Sequence, residues 1–201
     1  DQQFWGDRLG TVHRTLQSFE HPGLGRWNHL DAGAAHLDLE PWLRPAISDA
    51  LSAVTRLTVT DRLTYGVLHG DPAPQLFLID PATGRAGLLD AGTGGTGPLL
   101  YDVAAAVLYA GGEGTSAELL DGYLAAAPLT GDELHAGLPV MLRLRWAVHA
   151  DRAARHLAGA RTDACDDEDP DPCESLSPIP RDGREALRRA REALTLPPAP
   201  G

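Results

Sequence analysis

The chain contains no lysine: all seventeen of its basic residues are arginine. Any chemistry that needs an ε-amino group, as a Schiff base or as a grip on phosphate, must therefore be supplied from elsewhere. Cysteine is nearly absent as well. Cys165 and Cys173 stand alone in an acidic stretch, too few for a four-thiolate zinc site and with no histidine close by in sequence to complete a mixed one. They are expected to be free thiols in a reducing compartment, with a loop-closing disulfide as the alternative. Aromatic residues make up only 5% of the chain, and the dominance of Ala, Gly, Arg and Leu suits a helical domain better than a β-sandwich. No apolar run approaches the roughly 20 residues needed to cross a bilayer. The first residues lack a basic stretch followed by an apolar one, so the expectation is a cytoplasmic protein without signal peptide or membrane partner. An excess of positive charge is missing too. A net charge of −11 argues against nucleic acid as a partner, because affinity for phosphate backbones comes from clustered cations.

What is present suffices for one well-cored domain spanning residues 1–201, since no shift in composition marks a boundary. From about Gln3 to Glu20, Phe4, Trp5, Leu9, Val12, Leu16 and Phe19 recur at helical spacing before Pro22-Gly23. A long loop through Glu40 follows, then a helix from Pro41 to Leu57 with Pro45 as a point where it can break. Tyr65 to Leu68 predicts a short strand. Leu76 to Ile79 and Ala86 to Leu89 predict two more, joined as a hairpin by Asp80-Pro81-Ala82-Thr83-Gly84-Arg85. Beyond a glycine-rich loop, Pro98 opens a helix from about Leu99 to Ala110. Three further helices are expected at Ser116 to Ala126, Asp132 to Ala160 and Arg181 to Leu194. Between the last two, residues 162–180 carry seven acidic side chains, which predicts a solvated flexible loop without the alternation of a calcium-binding one. Residues 196–201 read as a frayed tail.

Two carboxylates carry the chemistry. Asp71 follows the apolar run ending at Leu68, and Asp90 follows the run ending at Leu89, so the intervening hairpin brings both to one end of a small sheet. Such a pair can divide the work of phosphoryl transfer, one accepting a hydroxyl proton and the other holding magnesium. Either aspartate alone would read as a turn residue. A competing motif is Gly92-Thr93-Gly94-Gly95-Thr96-Gly97, which matches the Gly-x-Gly-x-x-Gly dinucleotide fingerprint. Against it stand the antiparallel hairpin upstream, Pro98 after the last glycine, and the lack of a following parallel strand with an acidic end. A dinucleotide-binding protein is therefore the distant alternative.

The order of strand, His69-Gly70-Asp71, hairpin, Asp90 and Gly97-Pro98-Leu99-Leu100-Tyr101-Asp102-Val103-Ala104 resembles the C-terminal lobe of the aminoglycoside phosphotransferase-like kinases. That group includes choline, macrolide and homoserine-type kinases. The resemblance runs from about Leu9 to the final helix and implies a mainly α protein with a small β-hairpin, a protein-kinase-like C-lobe whose N-lobe is absent from this chain. It implies Asp71 as the catalytic aspartate, Asp90 as the metal ligand, His69 as the residue that orders the catalytic loop, and Asp102 as its structural support. By the same resemblance Gly92, two residues after the metal aspartate, and Gln75 are the candidate cofactor contacts. Trp146 and Asp151, on the long helix that in this group helps build the acceptor pocket, are the candidate substrate contacts, with a packed amphipathic helix and its solvated face as the preferred reading of the same residues.

Two departures qualify the resemblance. The family carries a metal-ligating asparagine five residues after the catalytic aspartate, and here that position is Leu76, whose alkyl group cannot ligate magnesium. Gln75 can take over only if the loop backbone shifts, because neighbouring side chains in a strand point to opposite faces. The phosphate-gripping lysine is missing too. The implied function is an ATP- and Mg2+-dependent phosphotransferase acting on a hydroxyl of a small molecule or of a peptide Ser/Thr, with an N-lobe or protein partner supplying the missing elements. The alternative is a pseudokinase that binds or scaffolds a peptide or partner protein.

Overall fold

The computed structural model describes residues 1–89, 94–159 and 182–195. In chain order the elements are α1 (Gln2–Thr15), β1 (Gly25–Arg26), a 3-10 helix (Ala35–Leu39), α2 (Leu43–Thr60), β2 (Tyr65–Leu68), a 3-10 turn (Pro74–Leu76), β3 (Phe77–Ile79), β4 (Ala86–Leu88), β5 (Gly95–Pro98), α3 (Leu100–Tyr109), a second 3-10 turn (Glu113–Thr115), α4 (Ala117–Ala126), α5 (Gly131–Leu157) and α6 (Gly183–Thr195). The mainly helical character expected from composition is present. Chain contacts divide it into two compact units, one of residues Asp1–Asn28 and Asp61–Leu138, the other of His29–Thr60 and the residues from Pro139 onward.

In the first unit, α1 starts where the Asp1 carboxylate accepts the Phe4 N–H at 3.1 Å, a side-chain cap on an otherwise unpaired donor. Its buried face is Trp5, Gly6, Leu9, Gly10 and His13. The helix stops at Thr15 rather than running on to Glu20, because Phe19 is half exposed and gives a further turn no buried face to rest on. Glycine on α1 permits unusually close packing against α4. A Cβ at Gly6 would strike the Leu119 carbonyl oxygen, and one at Gly122 would strike that of Gln3. Arg14 donates to the carbonyls of Ala126 and Ala127, placing a cation at the C-terminal end of α4.

The three-stranded sheet has the order β1-β5-β2, with β5 parallel to β1 and antiparallel to β2 in the register Gly66↔Gly97 and Leu68↔Gly95. The sequence predicted a loop where β5 runs. Its glycines are explained by close approach: a Cβ at Gly95 would lie 2.8 Å from the Gly25 carbonyl oxygen, and one at Gly97 would enter the Trp27 ring. The hairpin is β3 against β4, with Phe77 opposite Leu88. Its turn is organised by Asp80, which accepts the Ala82 N–H at 2.9 Å and the Thr83 hydroxyl at 2.6 Å. Leu76, expected in the strand, belongs to the preceding 3-10 turn. From Leu100 to Val107 every residue of α3 is buried. Glu133, in the first turn of α5, accepts both the Thr64 N–H (2.6 Å) and its hydroxyl (2.7 Å), anchoring the entrance to β2.

The second unit packs Leu37, Leu43, Ile47, Ala150, Ala154 and Leu187 into one aliphatic cluster. Pro45 does not break α2. It sits in the first turn, where its missing N–H would have no intrahelical partner anyway. Arg143 of α5 donates to the Leu194 carbonyl at 3.1 Å, near the end of α6. Among the described residues no helix is long and apolar enough to cross a membrane.

Candidate active site

The site grows from α3. Asp102 lies in its first turn, fully shielded, and its carboxylate accepts the backbone N–H of His69 at 2.7 Å and of Gly70 at 2.9 Å. His13 of α1 brings Nε2 to 3.1 Å from the same carboxylate, and its Nδ1 meets the Tyr123 hydroxyl at 2.8 Å. Burial alone would push the Asp102 carboxyl up. The His13 hydrogen bond and charge and the two backbone donors outweigh it, leaving Asp102 below its ordinary value and ionised. Burial, with the charges of Asp102 and Glu133, pushes the Tyr123 hydroxyl up, so it keeps its proton. An ionised carboxylate can only accept, so His13 Nε2–H donates to Asp102, and Nδ1 shares the second hydrogen bond with the Tyr123 hydroxyl.

The loop so held is His69-Gly70-Asp71. Gly70 has φ of +93°, a conformation that favours glycine, and this turns Asp71 back beside its neighbour. His69 Nε2 lies 2.6 Å from the Leu89 carbonyl, which can only accept, so Nε2 carries the proton and Nδ1 accepts the Asp71 N–H at 3.3 Å. Both ring nitrogens are thus engaged in bracing, one toward the Asp71 backbone and the other toward the end of the hairpin. Asp71 itself is partly exposed. The Tyr109 hydroxyl donates to its two oxygens at 3.1 and 3.0 Å.

Asp71, His69 and Asp102 are therefore brought together. Gln75 and Leu76 follow in the 3-10 turn, where the Leu76 carbonyl accepts the Leu89 N–H at 2.9 Å and ties the turn to the hairpin. Asp90 and Gly92 lie outside the described residues, as do Cys165, Cys173, residues 162–180 and the tail. Of the glycine fingerprint, Gly95 and Gly97 are strand residues filled against Gly25 and Trp27, which is not the strand-to-helix phosphate turn that a dinucleotide site requires.

Trp146 and Asp151 belong to the second unit. Trp146 packs against the aliphatic cluster and edge-on to His149. Asp151 is buried and engaged by His36 at 2.6 Å and Arg155 at 2.9 Å, so its carboxylate serves that ion-pair group. Among the described residues, no group of three or more His, Cys, Asp or Glu side chains is arranged to hold a metal ion.

His13 and Tyr109 escaped the sequence reading. Tyr109 had a usable signal, since it follows Asp102 by seven residues, two turns along one helix face. His13 had none, because its partner lies 89 residues away in the chain.

The profile of the family described as "Phosphotransferase enzyme family" (APH) matches residues 3–141. The chain belongs to this family. Its fold is shared with solved kinases at low identity. The amicoumacin kinase hAmiN, in complex with AMP-PNP, Ca2+ and Ami, aligns with a TM-score of 0.61 at 17% identity over 96% of this chain and 57% of that one. A microcompartment-associated aminopropanol kinase gives 0.61 at 18% identity, covering 96% and 60%. The choline kinase LicA from Streptococcus pneumoniae gives 0.58 at 16% identity, covering 96% and 63%. The chain thus spans about three fifths of the length of these phosphotransferases. No curated protein sequence matches it significantly.

Proposed function

We propose that this chain carries the acceptor-activating part of an ATP-dependent phosphotransferase that moves the γ-phosphoryl group to a hydroxyl of a small molecule. One observation carries the reading: Asp71 stands partly exposed on a loop whose backbone is fixed by the ionised Asp102. In such reactions catalysis is largely positioning and charge stabilisation, and a fixed carboxylate beside the acceptor supplies the first. Asp71 takes the proton of the acceptor hydroxyl as its oxygen attacks phosphorus. His69 keeps the loop and the hairpin in register and does not act as a base, since both of its nitrogens are engaged.

A hard dication in such a reaction would be held by one carboxylate and by the phosphates themselves. Asp90 is the proposed ligand. Leu76 adds nothing, because its side chain is an alkyl group and its carbonyl is bonded to Leu89. When bound, Mg2+ would neutralise charge on the phosphate oxygens. With no lysine among the 201 residues, a lysine grip on the α- and β-phosphates falls to a partner or to sequence beyond them.

The aminopropanol and choline kinases among the structural neighbours make an amino-alcohol the first acceptor to test. A peptide Ser/Thr hydroxyl remains the other acceptor of the same chemistry. Leu76 favours a second reading, a pseudokinase that binds a peptide or partner. Calorimetry with ATP and Mg2+, paired with ADP release over a panel of amino-alcohols, separates the two. Saturable binding and turnover that falls at least about 100-fold in Asp71→Asn support the kinase. Absence of binding and turnover, alone and with any co-purifying partner, leaves the scaffold.

A further inference from the structure

Along α5, Arg145, His149 and Arg152 fall on one face. Steps of four and then three residues keep the three side chains within about 60° of one another over roughly 10 Å of helix. Burial decreases in that direction. Arg145 is 4% exposed and His149 8%, whereas Arg152 reaches solvent. Trp146 closes one side of the imidazole, edge-on with 6.0 Å between ring centroids.

The charges that act on His149 are the guanidinium groups of Arg145 and Arg152, and no carboxylate is among them. α5 shares its aliphatic cluster with the 3-10 helix at Ala35–Leu39, α2 and α6. Of the charged groups on those elements, His36 is held by Asp151, Arg44 by Asp38, and Arg188 by Glu185 and Glu192. None of these acts on His149. Arg152 has no ion-pair partner among the described residues, and the buried Nδ1 of His149 has no hydrogen-bond partner there.

Burial and two guanidinium charges keep this imidazole neutral, and an anion beside it would oppose the second effect. Two parts of a recognition site are thus in place. An exposed guanidinium offers forked donors to an oxyanion, and an imidazole becomes a further donor once it takes a proton.

We propose that the His149–Arg152 step of α5 binds a small oxyanion, the carboxylate or phosphate group of a ligand. Arg152 makes the contact from solvent. The imidazole takes one proton from water as the anion settles, and no bond of the anion is broken. By linkage, an anion that favours the protonated imidazole binds more tightly as the pH falls, by at most about tenfold per pH unit. The inference is independent of the phosphotransferase reading and needs no turnover to test.

The test titrates the full chain with sulfate and, separately, with acetate. These stand for the phosphate and carboxylate sources and hold their charge between pH 6 and pH 8. Calorimetry in buffers of different ionisation enthalpy counts the protons taken up, and the Hε1 NMR resonance of His149 reports its charge. The expected result is one anion per chain, bound at least about fivefold more tightly at pH 6 than at pH 8, with proton uptake and a downfield move of Hε1. Arg152→Ala, at an exposed position, is expected to weaken binding at least about tenfold, and His149→Gln to remove the pH dependence. Tighter sulfate assigns a phosphate-bearing ligand, and tighter acetate a carboxylate-bearing one. No saturable binding of either anion overturns the inference. So does binding that Arg152→Ala leaves undiminished, or binding without proton uptake and with an unmoved His149 resonance. Equal weakening by Arg184→Ala, on α6, would show attraction to overall charge alone and overturns it as well.

Discussion

His13 Nε2 lies 3.1 Å from Asp102 Oδ2, and neither side chain exposes any surface to solvent. A buried carboxylate persists only where its charge is answered on all sides. Here an imidazole answers it from α1 and the backbone amides of His69 and Gly70 answer it from the loop. The N-terminal helix and the loop that carries Asp71 therefore share one buried charge.

Asp102→Ala removes the acceptor of three donors at once. The expected loss is about 3–5 kcal/mol, the range for breaking a buried charged pair by deleting one partner. Urea denaturation measures it. A loss under about 1 kcal/mol would show that water enters and replaces the carboxylate.

Acid should weaken the same network. Because the folded state holds Asp102 below its ordinary value of 3.8, the native protein binds fewer protons than the unfolded chain in that range. The stabilisation is complete above the ordinary value and is lost as the pH falls through the lower folded one. Urea midpoints between pH 5 and pH 3 should drop more steeply in wild type than in Asp102→Asn. Parallel curves would contradict the assignment.

His149 predicts a second slope at milder pH. Burial first, then the charges of Arg145 and Arg152, holds it well below its ordinary 6.5, so it is neutral in the folded protein. Its buried Nδ1 has no hydrogen-bond partner among the described residues. Unfolding lets the imidazole take a proton, so this contribution to stability falls as the pH drops below 6.5, by at most about 1.4 kcal/mol per pH unit. His149→Leu should flatten the dependence between pH 7 and 5 without weakening the protein at pH 8. A stability curve of the same slope in the variant would place the proton elsewhere.

The α1–α4 contact should reject even a methyl group. Ala ordinarily favours a helix by about 1 kcal/mol over Gly. At Gly6 and Gly122, however, the new Cβ would meet carbonyl oxygens that cannot rotate away. Each Gly→Ala change is expected to destabilise by about 1–3 kcal/mol, the usual range for overpacking. A rise in melting temperature in either variant would show that the helices are free to separate.

If Leu76 costs a ligand position, Leu76→Asn should lower the Mg2+ concentration giving half-maximal turnover several-fold, and Asp90→Asn should raise it or abolish turnover. A magnesium titration at fixed ATP reads both. An unaltered midpoint in Leu76→Asn would mean that the position does not face the dication.

Much of the site was legible in sequence because its signals are local. The strand Tyr65–Leu68, the glycine between His69 and Asp71, the Asp80 turn of the hairpin and the apolar continuity of α3 each follow from neighbouring residues. The errors came where distant partners decide. Gly95–Pro98 has poor strand propensity and is nevertheless the central strand, because β1 and β2 supply its hydrogen bonds and Trp27 occupies the space a side chain would need. Phe19 continues a helical pattern that no surface covers, so α1 stops before it. The contact of Asp151 with His36, 115 residues earlier in the chain, likewise had no local signal.

By itself the sequence determined which chemical groups this chain lacks and the order of residues in the His69–Asp71 loop. The absence of lysine, the alkyl group at Leu76 and the order His69-Gly70-Asp71 are properties of the chain, independent of folding. Tertiary structure alone decided how Asp71 is held. The His13–Asp102 pair and the Tyr109–Asp71 bond join residues 89 and 38 positions apart. A hydrogen bond depends on distance in space, and only packing α1 and the loop against α3 sets those distances.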